Sequence, residues 1–497
     1  SEILMPWYKR IFNRRKKAKP LNLRSYAGAQ KGRLFADFFS NSKSADAELA
    51  PALRTLRDRS RELARNDSYV KRYLALLSAN VVGTKGIRLS CKARDDNGQL
   101  DLVGNQIIER EFAKWCKKDN CTVTGKLSFI DAQKLFIETL ARDGECLVKH
   151  VKTKDNPFNY SIQFIEADHL DEELTEVAGN NNKIRMGVEC NPVGRPLAYH
   201  LFKNHPYDND SYAVPGKKYT RIPADEIIHA YMQERPEMTR GVPWTATAMD
   251  KIHTLNGYRQ AELTASRLAA CKMGFYTSPG GDGYVGEDYE DTYSPIMEAE
   301  PGTFEQLPSG MDFKSFEPNH PTSAFDAFEK AILRGISSGL NISYHSLAND
   351  LSSVNYSSIR AGSLEDRAQF GVIQEFVIAH FIEPVFREWL EMAMTTNQIP
   401  LPMTRFDKFA DSATFIPRSW SYVDPQKEIQ ANILGLKSGQ VTMSDIQSTY
   451  GRDVEELFEQ HDREKKLAEQ YGISTAFQPF GAQTTAVEPE IQGQDDE

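Results

Sequence analysis

The sequence predicts a multi-domain α+β protein, and three observations predict it. The chain has 497 residues, enough for several domains with separate cores. Residues 84–235 carry helical stretches followed by short alternating runs with turn residues between them, which is the pattern of a mainly antiparallel sheet. From Ser357 to Met394 the apolar residues Ile359, Leu364, Ala368, Val372, Phe376, Ala379, Ile382, Phe386, Leu390 and Ala393 recur at three- to five-residue steps, the period of one long helix. At about 1.5 Å per residue this makes a rod of roughly 55 Å, which Pro384 is expected to kink. A polar segment precedes the rod, with Asn341, Ser343, Ser346, Asn349, Asp350, Ser352, Ser353 and Asn355.

Composition narrows the class. Apolar residues make up 40% and charged residues 26%, without an apolar run of about 18 residues, so no membrane span is expected. The start, SEILMPWYKRIFNRRKK, lacks the apolar stretch of a signal peptide. The six cysteines (Cys91, Cys116, Cys121, Cys146, Cys190, Cys271) form no CxxC pair and no zinc-like spacing with histidine, so they read as free thiols in a reducing compartment.

The net charge of -9 conceals an asymmetry. Residues 1–33 hold ten Lys/Arg against Glu2 alone, a basic arm that is either a solvated tail or a contact with an acidic surface such as nucleic acid. Residues 271–320 hold ten Asp/Glu against Lys272 and Lys314.

In chain order, residues 45–82 read as helix, with Leu53, Leu56, Leu63, Tyr69, Tyr73, Leu76 and Leu77 on one face. Its Arg54, Arg57, Arg59, Arg61 and Arg65 suggest a phosphate-binding face, but Asp58, Glu62 and Asp67 interleave, and pairs three or four residues apart on a solvated surface are the stronger reading. Gly83 and Gly86 end the helix before a strand at 87–92. Helices follow at 102–115 and 128–142, the second capped by Ser128 with Asp131 in its first turn. Strands are expected at 145–151, 160–165, 183–190, 196–202 and 227–231, and a long helix with many small residues at 244–270. Residues 271–320 read as a small β-rich acidic insertion, broken by Pro279-Gly280-Gly281 and Pro301-Gly302. Helix returns at 325–340. Beyond a proline-rich connection, 425–472 reads as helical and the tail from Ile473 as disordered.

Catalytic signatures are missing. There is no GxxxxGK[ST], no GxGxxG after a strand and no HExxH. The GxSxG at Gly335–Gly339 lies at a helix end instead of between strand and helix, so it is not read as a nucleophile elbow. Asp282–Asp291 lacks the calcium-loop pattern, because Tyr284 and Gly286 occupy ligand positions. His150, His169, His229 and His253 are scattered and read as structural. Neither an active site nor a cofactor or metal is called for, and the chain is read as a non-enzyme.

Four stretches carry a resemblance: LRTLRDRSRELARND with NVVGTKGI (53–87), RGVPWTATAMDKIHTLNGYRQAELTASRLAACK (240–272), NYSSIRAGSLEDR (355–367) and SWSYVDPQKEIQANILGLKSGQVTMSDIQSTYGRDVEE (419–456). In these the chain resembles the portal proteins of tailed phages, of the lambda-type group. The resemblance implies a portal fold laid out as a basic N-terminal arm (1–44), an α+β wing (45–240), a first stem helix (241–270), a β-rich clip (271–320), a second stem helix (321–340), a channel loop (341–356), a long wing helix and its connection (357–424), an α-helical crown (425–472) and an acidic tail (473–497).

It further implies a homo-oligomeric ring, a dodecamer, at one capsid vertex of the virion, assembled in the host cytoplasm. Double-stranded DNA would pass through it without sequence preference during packaging and ejection. The implied partners are the terminase large subunit, head-completion or adaptor proteins, the major capsid protein and a scaffold, with no membrane. A head–tail adaptor ring or a capsid-associated protease is the alternative. A channel that passes DNA cannot hold phosphates tightly, because each cationic contact adds affinity and hence friction. Asp282, Glu287, Asp288, Glu290 and Asp291 would therefore form a repulsive collar in the clip. Asn341, Ser343, His345, Asn349, Asp350, Ser352, Ser353 and Asn355 would touch DNA weakly. Lys330 and Arg334 would form a cationic ring in the stem, or else pair with Asp326 or a neighbouring subunit.

Overall fold

The structure, a computed structural model, describes residues 42–208, 219–270, 274–277, 312–315, 325–352, 356–420, 425–449 and 454–472. The basic arm to residue 41, the acidic positions 282–291 and the tail from 473 lie outside the described residues. No described helix is long and apolar enough to cross a membrane.

The expected first helix is three: α1 (Ala45–Leu49), α2 (Leu53–Asn66) and α3 (Ser68–Leu77), followed by a π-helical turn at Ser78–Val82. Pro51, with no N–H to give, separates the first two. Asp67 separates the next two: its backbone is extended and its carboxylate caps α3, accepting from the N–H groups of Tyr69 (2.9 Å) and Val70 (2.8 Å). Asp67 thus acts as a cap and not as a partner for the arginines of α2.

After β1 (Arg88–Cys91) come α4 (Leu102–Trp115) and α5 (Phe129–Asp143). α5 opens on the expected Ser128 cap, closed into a capping box by Asp131. It stops at Gly144, where φ is +88° and where a Cβ would meet the Val242 carbonyl carbon at 2.4 Å. Only glycine fits both demands.

The strands β2 (Glu145–Lys152), β3 (Tyr160–Ile165), β4 (Glu176–Val177), β5 (Lys183–Arg185), β6 (Val188–Cys190), β7 (Pro196–Phe202), β8 (Tyr219–Pro223) and β9 (Ile227–Tyr231) form two antiparallel sheets, ordered β3-β2-β9 and β4-β5-β6-β7-β8. The single strand expected at 183–190 is instead a hairpin, turned at Met186 and Gly187, both with positive φ.

α6 (Met249–Ala270) begins five residues later than Trp244. Within 271–320 the described part is an antiparallel ribbon of β10 (Gly274–Thr277) and β11 (Asp312–Ser315). Then follow α7 (Phe325–Gly339), α8 (Tyr344–Ala348), α9 (Tyr356–Val377), α10 (Glu383–Thr395), α11 (Phe406–Asp411), β12 (Ala413–Ile416), α12 (Pro425–Lys437), α13 (Met443–Thr449) and α14 (Val454–Gln470). β12 was not expected; it pairs with β1, Arg88 opposite Ile416.

The long rod is α9 and α10 joined by a second π-helical turn, Ile378–Ile382. The turn answers Pro384. Glu383 donates to Ile378 O five residues back, so Pro384 stands in the first turn of α10, where a missing N–H costs nothing. The extra residue also rotates the helix and delivers Phe381, Phe386 and Trp389 into the main core, against Phe112, Trp115, Phe129 and Phe136. Ring centroids lie 4.4 Å apart for Phe136–Phe381 and 4.8 Å for Phe112–Trp389, and the Trp115 indole N–H donates to Tyr160 O at 2.9 Å. The helical period was right, and Ile382, Phe386, Leu390 and Ala393 are buried as expected, but in α9 the inward face differs. Phe370, Ile373 and Val377 are buried, whereas Leu364 (48% exposed) and Val372 (63%) point out.

The arginines of α2 also differ from expectation. Arg57 is fully buried and reaches across the fold to Glu145 and Asp168, both at 3.0 Å. Arg240, also fully buried, grips Glu145 (2.8 Å from Nε) and donates to the Leu170 and Met186 carbonyls. Arg61 forks onto Asp143 at 3.0 Å and also pairs with Asp168. These pairs are buried and long-range, so they form neither a phosphate face nor a solvated i,i+4 ladder; Arg59 and Arg65 are the ones that stay exposed. Burial by itself would raise the Glu145 carboxyl, but Arg240 and His229 outweigh it and hold it well below the usual range. Burial pushes His229 down.

Removing one partner strands the others in a dry site, so Arg57→Met or Arg240→Met is expected to cost about 3–5 kcal/mol, against less than about 0.5 kcal/mol for Arg59→Met. Guanidinium unfolding of the three variants checks this; equal midpoints for Arg57→Met and Arg59→Met would contradict it.

Candidate nucleic-acid interface

α6 and α7 form a packed pair. The Tyr258 ring stacks on Phe325 (5.6 Å) and meets Phe328 edge-on (5.1 Å), and Thr247 Oγ1 donates to Gly339 O at 2.7 Å. Arg259 of α6 bridges Glu329 of α7 and the Tyr69 hydroxyl of α3. α7 is therefore fixed both to its partner helix and to α3.

α7 ends as Asn341 turns left-handed (φ +52°), and the Ser343 backbone turns extended to cap α8. One residue holds this corner. Asp366, buried in α9, accepts from the Ser343 N–H (2.7 Å), the Ser343 hydroxyl (2.7 Å) and the Ser346 hydroxyl (2.6 Å). From the other side Arg72 of α3 donates to Ser346 O at 2.8 Å and reaches Asn349 at 3.4 Å, closing the C-terminal end of α8. Part of the polar segment is thus a short helix clamped between α3 and α9.

The turn after α8 is tied by Asp350. Its carboxylate accepts from the Ser352 N–H (3.0 Å) and hydroxyl (2.6 Å) and from the Tyr344 hydroxyl (2.8 Å), and these bonds, those of Ser352 first, hold its pKa well below the usual range. His345 Nδ1 lies 3.1 Å from the Asp350 carbonyl oxygen, so it carries the proton there. Lys330 Nζ sits 2.9 Å from Asp326 and 3.8 Å from Asp350, and the Asp326 bond raises its pKa. The Arg334 guanidinium stacks 5.6 Å over the Tyr344 ring and stays exposed.

The structure therefore brings together Lys330, Arg334, Asn341, Ser343, His345, Asn349, Asp350 and Ser352 in one continuous corner, with Asn341, Asn349 and Ser352 exposed and Ser343 and Asp350 engaged within it. Ser353 and Asn355, and the acidic positions Asp282, Glu287, Asp288, Glu290 and Asp291, lie outside the described residues. Sequence reasoning passed over Asp366 and Arg72, which hold the corner. Asp366 sits inside NYSSIRAGSLEDR, where its acceptor role has no local signature.

Elsewhere Glu166, Asp168 and His205 place three potential ligand atoms within 4.8 Å of one another. Two contacts argue against a cation there. The Tyr207 N–H donates to His205 Nδ1 (3.3 Å), which leaves the ring proton on the nitrogen facing the carboxylates, and Arg61 already occupies Asp168.

A family model described as phage portal protein, lambda family, matches residues 31–374. Similar sequences include the probable portal protein of Halomonas phage phiHAP-1, 34% identical over 494 residues and covering 96% of this chain and 93% of that protein. The portal protein of Escherichia phage N15 is 23% identical (87% and 88% covered), and portal protein B of Escherichia phage lambda is 22% identical (85% of each). Among solved structures, a chain from the neck of a native gene transfer agent particle aligns at 12% identity with a TM-score of 0.42, over 79% of this chain and 93% of that one.

Asp366→Ala leaves two hydroxyls and one N–H without their shared acceptor, a loss of about 1–3 kcal/mol confined to the corner. Amide exchange of residues 343–349 is expected to accelerate roughly tenfold or more while α4 and α5 exchange unchanged. Unaltered exchange at 343–349 would show that Asp366 is not the anchor.

Proposed function

Because the chain belongs to the lambda family of phage portal proteins, we propose that it assembles into a ring at one vertex of the capsid and forms the passage for double-stranded DNA during packaging and ejection. The ring would dock the terminase large subunit and later the head-completion or adaptor proteins through the 271–320 insertion, and would contact the major capsid protein and a scaffold at its periphery. The carrying observation is the anchored corner between α7 and α9. It offers polar amides and hydroxyls at Asn341, Asn349 and Ser352 with almost no uncompensated charge, since Lys330 faces Asp326 and Asp350.

Near-neutrality suits passage. A cation facing phosphates releases counterions and adds salt-dependent affinity at each subunit, which would slow a moving duplex. Amides and hydroxyls form bonds that water replaces at little cost. Arg334 is held by a ring face, and Arg72 by the Ser346 carbonyl and Asn349, without a carboxylate among the described residues; of the two, Arg334 would mark the stronger phosphate contact. Asp282, Glu287, Asp288, Glu290 and Asp291 would repel the duplex where it leaves.

Negative-stain images and mass photometry of the purified chain are expected to show a closed ring with a central hole; a chain that stays monomeric at all concentrations would overturn the proposal. In a packaging assay Lys330→Glu with Arg334→Glu is expected to alter the packaging rate, and rings carrying both changes that package at the normal rate would remove these residues from the DNA path.

A further inference from the structure

α9 carries a second apolar stripe that nothing among the described residues covers. Ala361, Leu364, Ala368 and Val372 are all exposed and, at 100° per residue, fall within an arc of about 80°; Ala379 in the π-helical turn is exposed as well. Glu375 lies on the same arc and Glu365 at its edge. The opposite face of the helix already fills the core with Phe370, Ile373 and Val377, so this stripe, running about 17 Å along α9, has no partner among the described residues.

α6 has a face of complementary shape. Thr254, Gly257, Ala261 and Thr264 are exposed along one side, small enough to let a second helix approach closely. Gly257 is the informative residue. A glycine inside a helix costs about 1 kcal/mol relative to alanine, yet a Cβ added there meets nothing within 4 Å, so no contact among the described residues explains it. Gly371, beside the α9 stripe, is equally unexplained. Charge favours the match. Lys251, which runs along Gly335 of α7, and Arg267 lie to either side of the α6 face, with Asp250 on the face itself, and neither the two cations nor Glu365 and Glu375 have an ion-pair partner among the described residues.

We propose that the outer stripe of α9 seats on the Gly257 face of α6 in a second copy of this chain, with Glu365 and Glu375 toward Lys251 and Arg267 of that copy. The contact is heterologous, two different faces meeting, so it propagates around a ring instead of closing a dimer. It rests on the ring reading above and adds to it which surfaces carry the assembly.

The test uses the full-length chain. Gly257→Phe fills space that is open within one chain, so it is expected to keep its melting temperature and to lose rings in mass photometry. In Ala261→Cys with Ala368→Cys, oxidation of assembled protein is expected to give a non-reducing ladder running beyond the dimer, absent from either single variant and from wild type. Should Gly257→Phe melt lower, the cysteine pair alone decides. Normal rings from a stable Gly257→Phe chain, rings that give no ladder, or a ladder that stops at the dimer each overturn this contact and leave the ring reading standing. A wild-type chain that never forms rings overturns both.

Discussion

The buried ionic cluster around Glu145 fixes the geometry on which the other elements depend. Arg57 brings α2 to it, Arg240 brings the segment that leads into α6, and Glu145 itself opens β2, directly after the left-handed Gly144. The backbones of Gly144 and Gly241 pass so closely that a Cβ on Gly241 would meet Gly144 O at 2.1 Å. Desolvating these charges is expensive, and their mutual attraction recovers that cost only in one arrangement, so the cluster selects a geometry more than it adds stability. What it selects is the direction in which α6 leaves the sheets.

From that direction the rest follows by contact. α6 holds α7 through Arg259, Tyr258 and Thr247, α7 delivers the polar corner, and Asp366 and Arg72 tie that corner to α9 and α3. α9 runs on through a π-helical turn into α10, whose Trp389 lies in the same core as Trp115 of α4. The candidate interface is thus tied at both ends to elements of the main core.

Where the sequence was legible, the cause is local. Ser128 and Asp131 announce their own helix start three residues apart, and Leu102–Trp115 shows its period within four turns. Where it was not, the partner is remote. β12 hides in a proline-rich connection because its partner, β1, lies more than 300 residues earlier, as the Thr414 hydroxyl bond to Ser90 O shows. Arg57 looked like a surface residue because Asp58 and Glu62 stand beside it, whereas its true partners are 88 and 111 residues away. For the polar corner, composition revealed serines and asparagines but not which of them Asp366 would claim. Ser343 is taken up inside the corner, while Asn349 and Ser352 remain exposed.

The two faces of α9 explain why its periodicity misled. An ordinary surface helix has one apolar stripe, and the residues outside it are polar because water is their only neighbour. α9 has two, and its inward face also carries polar residues that are buried and bonded: Asp366 holds the corner, and Gln374 donates to the Val81 and Arg418 carbonyls. A helix apolar on both sides is being read by two environments, and only one of them lies among the described residues. The sum of the two stripes is a pattern too wide to show which side faces in. That ambiguity is what the proposed contact with a second copy of the chain would leave in the sequence.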